Sequence, residues 1–311
     1  MTILVAGATG LAGSAIVREL TRIGKPVIGM SSKDVNLLDR DAIFNYLNKL
    51  KPSVIIDAAA KVGGISANNS YPVEFLSENI RIQTNLIDAA HSVSVEKFVF
   101  LASSCVYPRN CPQPIKEEYV LTGALESTNS AYAIAKLAGI ELIKAYRKEF
   151  GRRWISVMPT NLYGPNDNFD LESSHVFPAL IRKFIEAKRS HTNTVDLWGT
   201  GKPRREFLHV DDLAKAIIVC IDKYDSDQQI NIGTGIDLTV AELAEKIAKN
   251  TGFTGSINWD PDREDGTPQK VLDIQKITNL GWKPTINLDQ GIKLTVEWYL
   301  ENKLGVKWHQ R

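Results

Sequence analysis

The sequence predicts an α/β fold, a doubly wound parallel sheet with a smaller carboxyl-terminal lobe, on three observations. Short apolar runs alternate with helical patterns through the first half of the chain. A glycine-spaced turn lies between the first run and the first helix. After Gly164, loops rich in Asn, Asp, Gly and Pro replace the alternation. A short run without polar interruption is a strand buried on both faces, as in parallel sheets, and parallel strands need helical crossovers.

Bulk properties narrow the function. A chain of 311 residues is long enough for a large core or two lobes. Its 43% hydrophobic and 23% charged content is ordinary for a globular protein. A net charge of +1 gives no field for nucleic acid or an anionic membrane, so neither partner is expected. No apolar run approaches the roughly 18 residues of a membrane span. Met1-Thr-Ile-Leu-Val-Ala6 opens directly in a strand, which leaves no place for a leader. Cys105, Cys111 and Cys220 show no metal-ligand spacing, so no metal is expected and the compartment reads as reducing cytoplasm.

Ile3–Ala6 is the first strand, Gly7-Ala8-Thr9-Gly10-Leu11-Ala12-Gly13 the turn, and Ser14–Arg22 the first helix. Glycines at this spacing between strand and helix mark a Rossmann-like dinucleotide site, because the backbone can turn tightly and approach a pyrophosphate lying on the helix amino end. Pro26–Met30 is the second strand, and Ser31-Ser32-Lys33 follows it with no carboxylate before Asp34. Two hydroxyls and an ammonium suit a 2′-phosphate, so NADP is expected over NAD. The helix Arg40–Leu50 precedes the strand Ser53–Asp57, after which Ala58–Ala60 give a flat cofactor room. Tyr71–His91 is one long helix, with Asn79 inside it as a structural residue.

The chemistry concentrates between Val99 and Lys136. Lys97–Ala102 is a buried strand ending in Ser103-Ser104-Cys105-Val106-Tyr107-Pro108, at the sheet edge where ligands bind. Ser130-Ala-Tyr132-Ala-Ile-Ala-Lys136 then opens a helix to about Phe150, with Tyr132 and Lys136 on one face. Alone, such a pair is an ordinary packed surface pair; the serine-bearing strand end and the glycine turn give it a chemical setting. A buried ammonium beside a phenol favours the phenolate, and a nearby serine can bind the same substrate oxygen, which makes an acid/base unit for a carbonyl.

Arg153–Met158 is the next strand, and Pro159–Pro165 a loop at the ligand edge. His175–Lys188 and Thr239–Asn250 are helices and Thr194–Leu197 a strand. Val210-Asp-Asp212 caps a helix to Asp222, and Gln229–Gly233 is a further strand. The expected division is 1–163 plus about 201–233 for the nucleotide domain, and about 164–200 plus 234–311 for the smaller lobe over the ligand edge.

With these residues assembled, the chain resembles the extended short-chain dehydrogenase/reductase family, and within it the epimerase/reductases that turn GDP-4-keto-6-deoxymannose into GDP-L-fucose. The resemblance lies in Gly7–Gly13, Ala58–Ile65 with Ala67-Asn-Asn69, Ser103–Pro108 and Tyr132–Lys136. It continues through Met158–Pro165, Ser174-His175-Val176, Arg205–Asp212 and Asp265-Gly-Thr-Pro268. It implies NADPH-dependent 3,5-epimerisation and 4-keto reduction, a GDP-sugar partner and a homodimer. Tyr132 would protonate the C4 oxygen, Lys136 would lower its pKa and hold the nicotinamide ribose, and Ser103 would orient the ketone. Cys105 and His175 would move protons at C3 and C5.

The resemblance also implies cofactor contacts at Gly7, Ala8, Thr9, Gly10, Leu11, Ala12 and Gly13, and at Ser32 and Lys33. Further contacts would come from Leu101, Ala102, Ser103 and Ser104, from Lys136, from Pro159, Thr160, Asn161 and Leu162, and from His175. Lys183, Trp198, Arg205, Asp265 and Lys270 would hold the GDP-hexose. The chemistry is coherent: a C4 ketone acidifies both neighbouring C–H bonds, and inversion needs one group to take a proton and another to return it from the opposite face. Without the resemblance, Cys105 reads as a small buried hydrophobe and His175 as a polar helix-start residue. Two other readings are an enzyme on a different GDP-4-keto sugar and a dinucleotide-sensing regulator; a regulator has no need of Ser103, Tyr132 and Lys136 together.

Overall fold

The computed structural model describes residues 2–263 and 265–306. Strand β1 (Ile3–Ala6) is wholly buried and leads through the glycine turn into helix α1 (Leu11–Arg22). β2 (Val27–Met30), α2 (Arg40–Leu50) and β3 (Val54–Asp57) follow, then the short α3 (Ile65–Ser70) and the long α4 (Pro72–Ser92), which starts on a proline suited to a first helical turn. Next come β4 (Lys97–Leu101), α5 (Ser130–Phe150), β5 (Ile155–Pro159) and β6 (Asn161–Tyr163). Beyond them lie α6 (Val176–Arg189), β7 (Thr194–Trp198), β8 (Arg204–His209), α7 (Val210–Lys223) and β9 (Ile230–Ile232). The chain closes with β10 (Asp237–Thr239), α8 (Val240–Thr251), β11 (Ser256–Asp260), β12 (Gln269–Lys270), α9 (Gln275–Asn279) and α10 (Leu288–Leu304).

The main sheet is six-stranded in the order β2-β1-β3-β4-β5-β9, every pair parallel. Side chains alternate across it. Leu4, Phe98 and Phe100 pack with Ile43, Leu86 and Ile140 on one face, while Ile3, Val5 and Val99 pack with Ile16, Leu20 and Ile217 on the other. The sheet is therefore doubly wound, as expected. β2 lies on one side of β1 and β3 on the other, so the carboxyl ends of β1 and β3 frame the crevice that open α/β sheets use for ligands.

A second sheet is built on β8, which pairs with β10, β12 and β6. β7 and β11 form a separate parallel pair. A third core fills this half with Phe177, Phe184, Ile247, Phe253 and Tyr299. Glu206 ties the two halves: its buried carboxylate accepts from the N–H of Gly235 at 2.7 Å and Leu272 at 2.8 Å. Among the described residues, no helix is long and apolar enough to cross a membrane.

Two sequence expectations change. Pro159–Pro165 is not all loop, since Asn161–Tyr163 forms β6 against β8, in register from Asn161 opposite Phe207. Helix α7 is capped by His209, whose Nδ1 accepts from the Asp211 N–H at 3.2 Å, rather than by Val210-Asp-Asp212. Asp212 instead takes bonds from Thr285 and Ile286 in the segment before α10.

Candidate active site

The glycine turn is a cradle that side chains would fill. Gly7 has φ +75°, and a Cβ there would stand 2.7 Å from the Ala58 carbonyl oxygen. A Cβ on Gly13 would stand 2.2 Å from the Gly7 carbonyl oxygen. Gly10 caps α1 without any side-chain acceptor, so the first N–H groups of that helix are left for an anion. Ala8 through Ala12 continue this cradle beside Ala58 at the switch point. A dinucleotide pyrophosphate fits these residues.

At the end of β2 the Asp34 carboxylate folds back to accept from the Ser31 N–H at 2.8 Å and the Ser31 hydroxyl at 2.7 Å. Those bonds hold its pKa below the ordinary value. Ser32 and Lys33 remain exposed beside it. Asn79 is structural as expected, but in a stronger way: it is buried, and its amide both donates to and accepts from the Lys61 backbone.

At the end of β4, the Ser103 hydroxyl oxygen accepts from the Cys105 N–H at 3.2 Å, which caps the 3-10 turn Ser104–Val106. Opposite, the first turns of α5 carry Tyr132 and Lys136. Burial raises the Tyr132 phenol pKa, the Cys105 sulfur beside it adds to that, and the Ser103 hydroxyl works the other way. The Lys136 ammonium donates to the Leu101 carbonyl at 2.9 Å and lies 4.7 Å from the centre of the Phe100 ring, but 6.0 Å from that of Tyr132. Lys136 is itself buried; desolvation pulls its pKa down to about 8, and Asp57 acts to raise it. Asp57 is fully buried at the end of β3, one oxygen on the Ala59 N–H and the other without a partner, and burial lifts its pKa to about 6.

His175 caps α6 without a side-chain bond. Its segment stands on the Gly63–Gly64 turn, where the Gly64 N–H donates to the Ser173 carbonyl at 2.9 Å and a Gly64 Cβ would lie 2.3 Å from the Ser174 oxygen. A Cβ on Gly63 would touch the Phe75 ring at 3.0 Å, and that ring meets Tyr132 edge-on at 6.4 Å between centres. The backbone of the His175 segment thus packs on Gly64, next to the Gly63 that packs on the Phe75 ring. His175 is exposed at the surface, and the protein packed around it lowers its pKa from the ordinary value.

The residues expected on the GDP-sugar divide into two groups. Arg205, half-buried on β8, faces Cys105 and Glu126; burial lowers its pKa while these groups and Asp265 raise it. Lys270 is buried on β12, in register with Arg205. Trp198 is 56% exposed at the end of β7. The other two bond within the protein, as Arg205 does to the Arg204 and Asp265 carbonyls. Asp265 accepts from the Thr200 N–H and hydroxyl, both at 2.7 Å, and so fixes the turn after Trp198. Lys183 donates to the Asp196 carbonyl at 2.8 Å. Thr160 and Asn161 both donate their side chains to the Glu206 carbonyl.

Comparison with known proteins follows this geometry. The sequence pattern of the NAD dependent epimerase/dehydratase family matches residues 3–233. The chain belongs to that family. GDP-L-fucose synthase 1 of Arabidopsis thaliana is 49% identical over 301 residues, which are 96% of this chain and 93% of that protein. The GDP-L-fucose synthase of Escherichia coli K12 is 45% identical over 311 residues, 97% of each chain. A GDP-L-fucose synthetase from Naegleria fowleri, solved bound to NADP, superposes with a TM-score of 0.90 at 31% identity, covering 99% of this chain and 96% of that one.

Within this epimerase/dehydratase frame, several residues stand at the site that sequence reasoning did not single out. Asp57 read as the end of a strand; its burial near Lys136 has no sequence signal beyond a carboxylate in an apolar run. Arg263 lies 5.1 Å over the Trp198 ring from a loop of no regular pattern. Arg109 and Glu126 pair at 3.3 Å and line a recess of about 200 Å³ with Ser127, Asp265 and Gly266, beside Arg205 rather than over Tyr132. Asn129 lies one residue before α5, and only the fold brings it to Cys105.

Proposed function

We propose that this chain converts GDP-4-keto-6-deoxymannose to GDP-L-fucose, epimerising at C3 and C5 and reducing at C4 with NADPH. The observation that carries the reading is the convergence of Ser103, Tyr132 and Lys136 with Cys105 at one strand end, opposite the glycine cradle. NADPH, when bound, supplies a hydride to C4. Ser103 holds the ketone oxygen, and Tyr132, kept protonated by burial, gives that oxygen its proton as the hydride arrives. Lys136 holds positive charge beneath the site below about pH 8 and would hold the nicotinamide ribose. Cys105 and His175 take and return the protons of the carbons flanking the ketone. Arg205 and Lys270 offer cations to a pyrophosphate and Trp198 an aromatic face.

The same reading covers the two-lobe division, supported by the third core cluster, in which α6, α8 and α10 pack together apart from the main sheet. It also covers a homodimer, supported by the family resemblance, and a cytoplasmic location, supported by the free thiols of Cys105, Cys111 and Cys220.

The direct test is NADPH oxidation with GDP-4-keto-6-deoxymannose, followed by the Tyr132→Phe variant. The parent should consume NADPH and release GDP-L-fucose. Tyr132→Phe should lose on the order of a hundredfold or more of that turnover with NADPH affinity kept, because only the proton donor is gone. Unchanged turnover in Tyr132→Phe would remove the phenol from the mechanism.

A further inference from the structure

Asn129 stands at the capping position of α5, yet its side chain makes no cap. The amide turns into the site instead: Nδ2 donates to Cys105 Sγ at 3.5 Å, while Oδ1 is buried with no hydrogen-bond partner among the described residues. An Asn at such a position ordinarily lends its oxygen to an N–H of the first helical turn. Giving up that bond and burying an unmet acceptor both cost stability, so the amide is not oriented for the helix. The backbone there is held by other means. The Asn129 N–H donates to the Glu126 carbonyl at 3.3 Å, and the Glu126 carboxylate accepts from the Thr128 N–H at 3.4 Å. Those bonds free the Asn129 amide.

Cys105 is held as firmly from the opposite wall, its N–H on the Ser103 oxygen. Sγ and Nδ2 therefore meet from two fixed elements, the end of β4 and the start of α5, with Arg205 as the nearby cation. Resting on the epimerase reading, each inversion breaks a C–H bond beside the ketone. The proton passes to one member of the Cys105–His175 pair, the electron pair moves into an enolate on the C4 oxygen, and the other member returns a proton to the opposite face. Whether Sγ accepts first or donates second, it is a thiolate at one stage. We propose that Asn129 is the positioning residue for Cys105, its Nδ2–H directing Sγ at the sugar and stabilising the thiolate.

The test compares the parent with Asn129→Asp and Asn129→Ser. The Asn129 side chain makes no cap for either variant to lose, so a purely structural role leaves the variants at parental rates. Asp places a negative acceptor against the sulfur, and Ser draws the donor out of reach. Exchange of the C3 and C5 protons of GDP-4-keto-6-deoxymannose is followed by NMR in deuterated water without NADPH, and NADPH affinity by fluorescence titration reports the fold. Both variants should exchange about tenfold or more slowly than the parent, with NADPH affinity within about twofold. Parental exchange in either variant overturns the role of Asn129 and leaves the epimerase reading standing. No exchange in the parent overturns the epimerase reading and this inference with it.

Discussion

At the scale of single residues, the charge state of Lys136 sets the pH range of the chemistry. Burial brings its pKa down to about 8, and Asp57 beneath it acts to raise it. The ammonium is present below that value and lost above it, so kcat/KM for NADPH oxidation should fall as pH rises through about 8, since this ratio reports groups of the free enzyme. Asp57→Asn removes the supporting charge, and the falling limb should move to lower pH; an unmoved limb would show that Asp57 does not reach Lys136. The four-residue spacing of Tyr132 and Lys136 was legible in the sequence because helix geometry alone places them together. Where the ammonium points was not, since that depends on the Leu101 carbonyl and the Phe100 ring contributed by β4. For the same reason nothing in the order of the chain shows that Asp265 accepts from Thr200 or that Lys183 donates to the Asp196 carbonyl.

At the scale of elements, Asp212 shows how a helix is fastened to distant chain. It is fully buried on α7 and accepts from the Thr285 N–H, the Ile286 N–H and the Thr285 hydroxyl, all at 2.7 Å, and from Lys215 at 3.0 Å. Burial pushes its pKa up, but these bonds together outweigh it and the net shift is downward. A carboxylate with a depressed pKa adds stability that is complete above the unfolded value and disappears as pH falls through the folded one. Asp212→Asn should therefore cost about 2–4 kcal/mol at pH 7, because an amide cannot accept from all of these donors, and the gap to the parent should narrow toward pH 3. Denaturant melts at the two pH values measure this, and an equal gap at both would assign the loss to packing. The long helices and the buried strands of the main sheet were readable because their periodicity runs over many residues. β6, β10 and β12 were not, being two or three residues long and defined by pairing with β8 rather than by any pattern of their own.

At the scale of the whole molecule, the turn after β1 and the end of β4 with the start of α5 lie at the carboxyl edge of one parallel sheet, and the His175 segment rests on Gly64. The first two were legible, because a glycine spacing and a helical spacing are local signals. The third was carried by resemblance, since a histidine before a helix has no intrinsic signature. The arrangement also dictates an order of events. The protons at C3 and C5 are acidic only while the C4 ketone exists, so inversion must come before the hydride, and reduction then fixes the configuration. The measurement that tests this most directly is incubation of the protein with GDP-4-keto-6-deoxymannose in deuterated water, first without NADPH and then with it, read by NMR. Deuterium at both C3 and C5 before NADPH is added, followed by GDP-L-fucose labelled at those two carbons and carrying protium from NADPH at C4, is the result this account predicts. Reduction that yields product without deuterium at either carbon would contradict it.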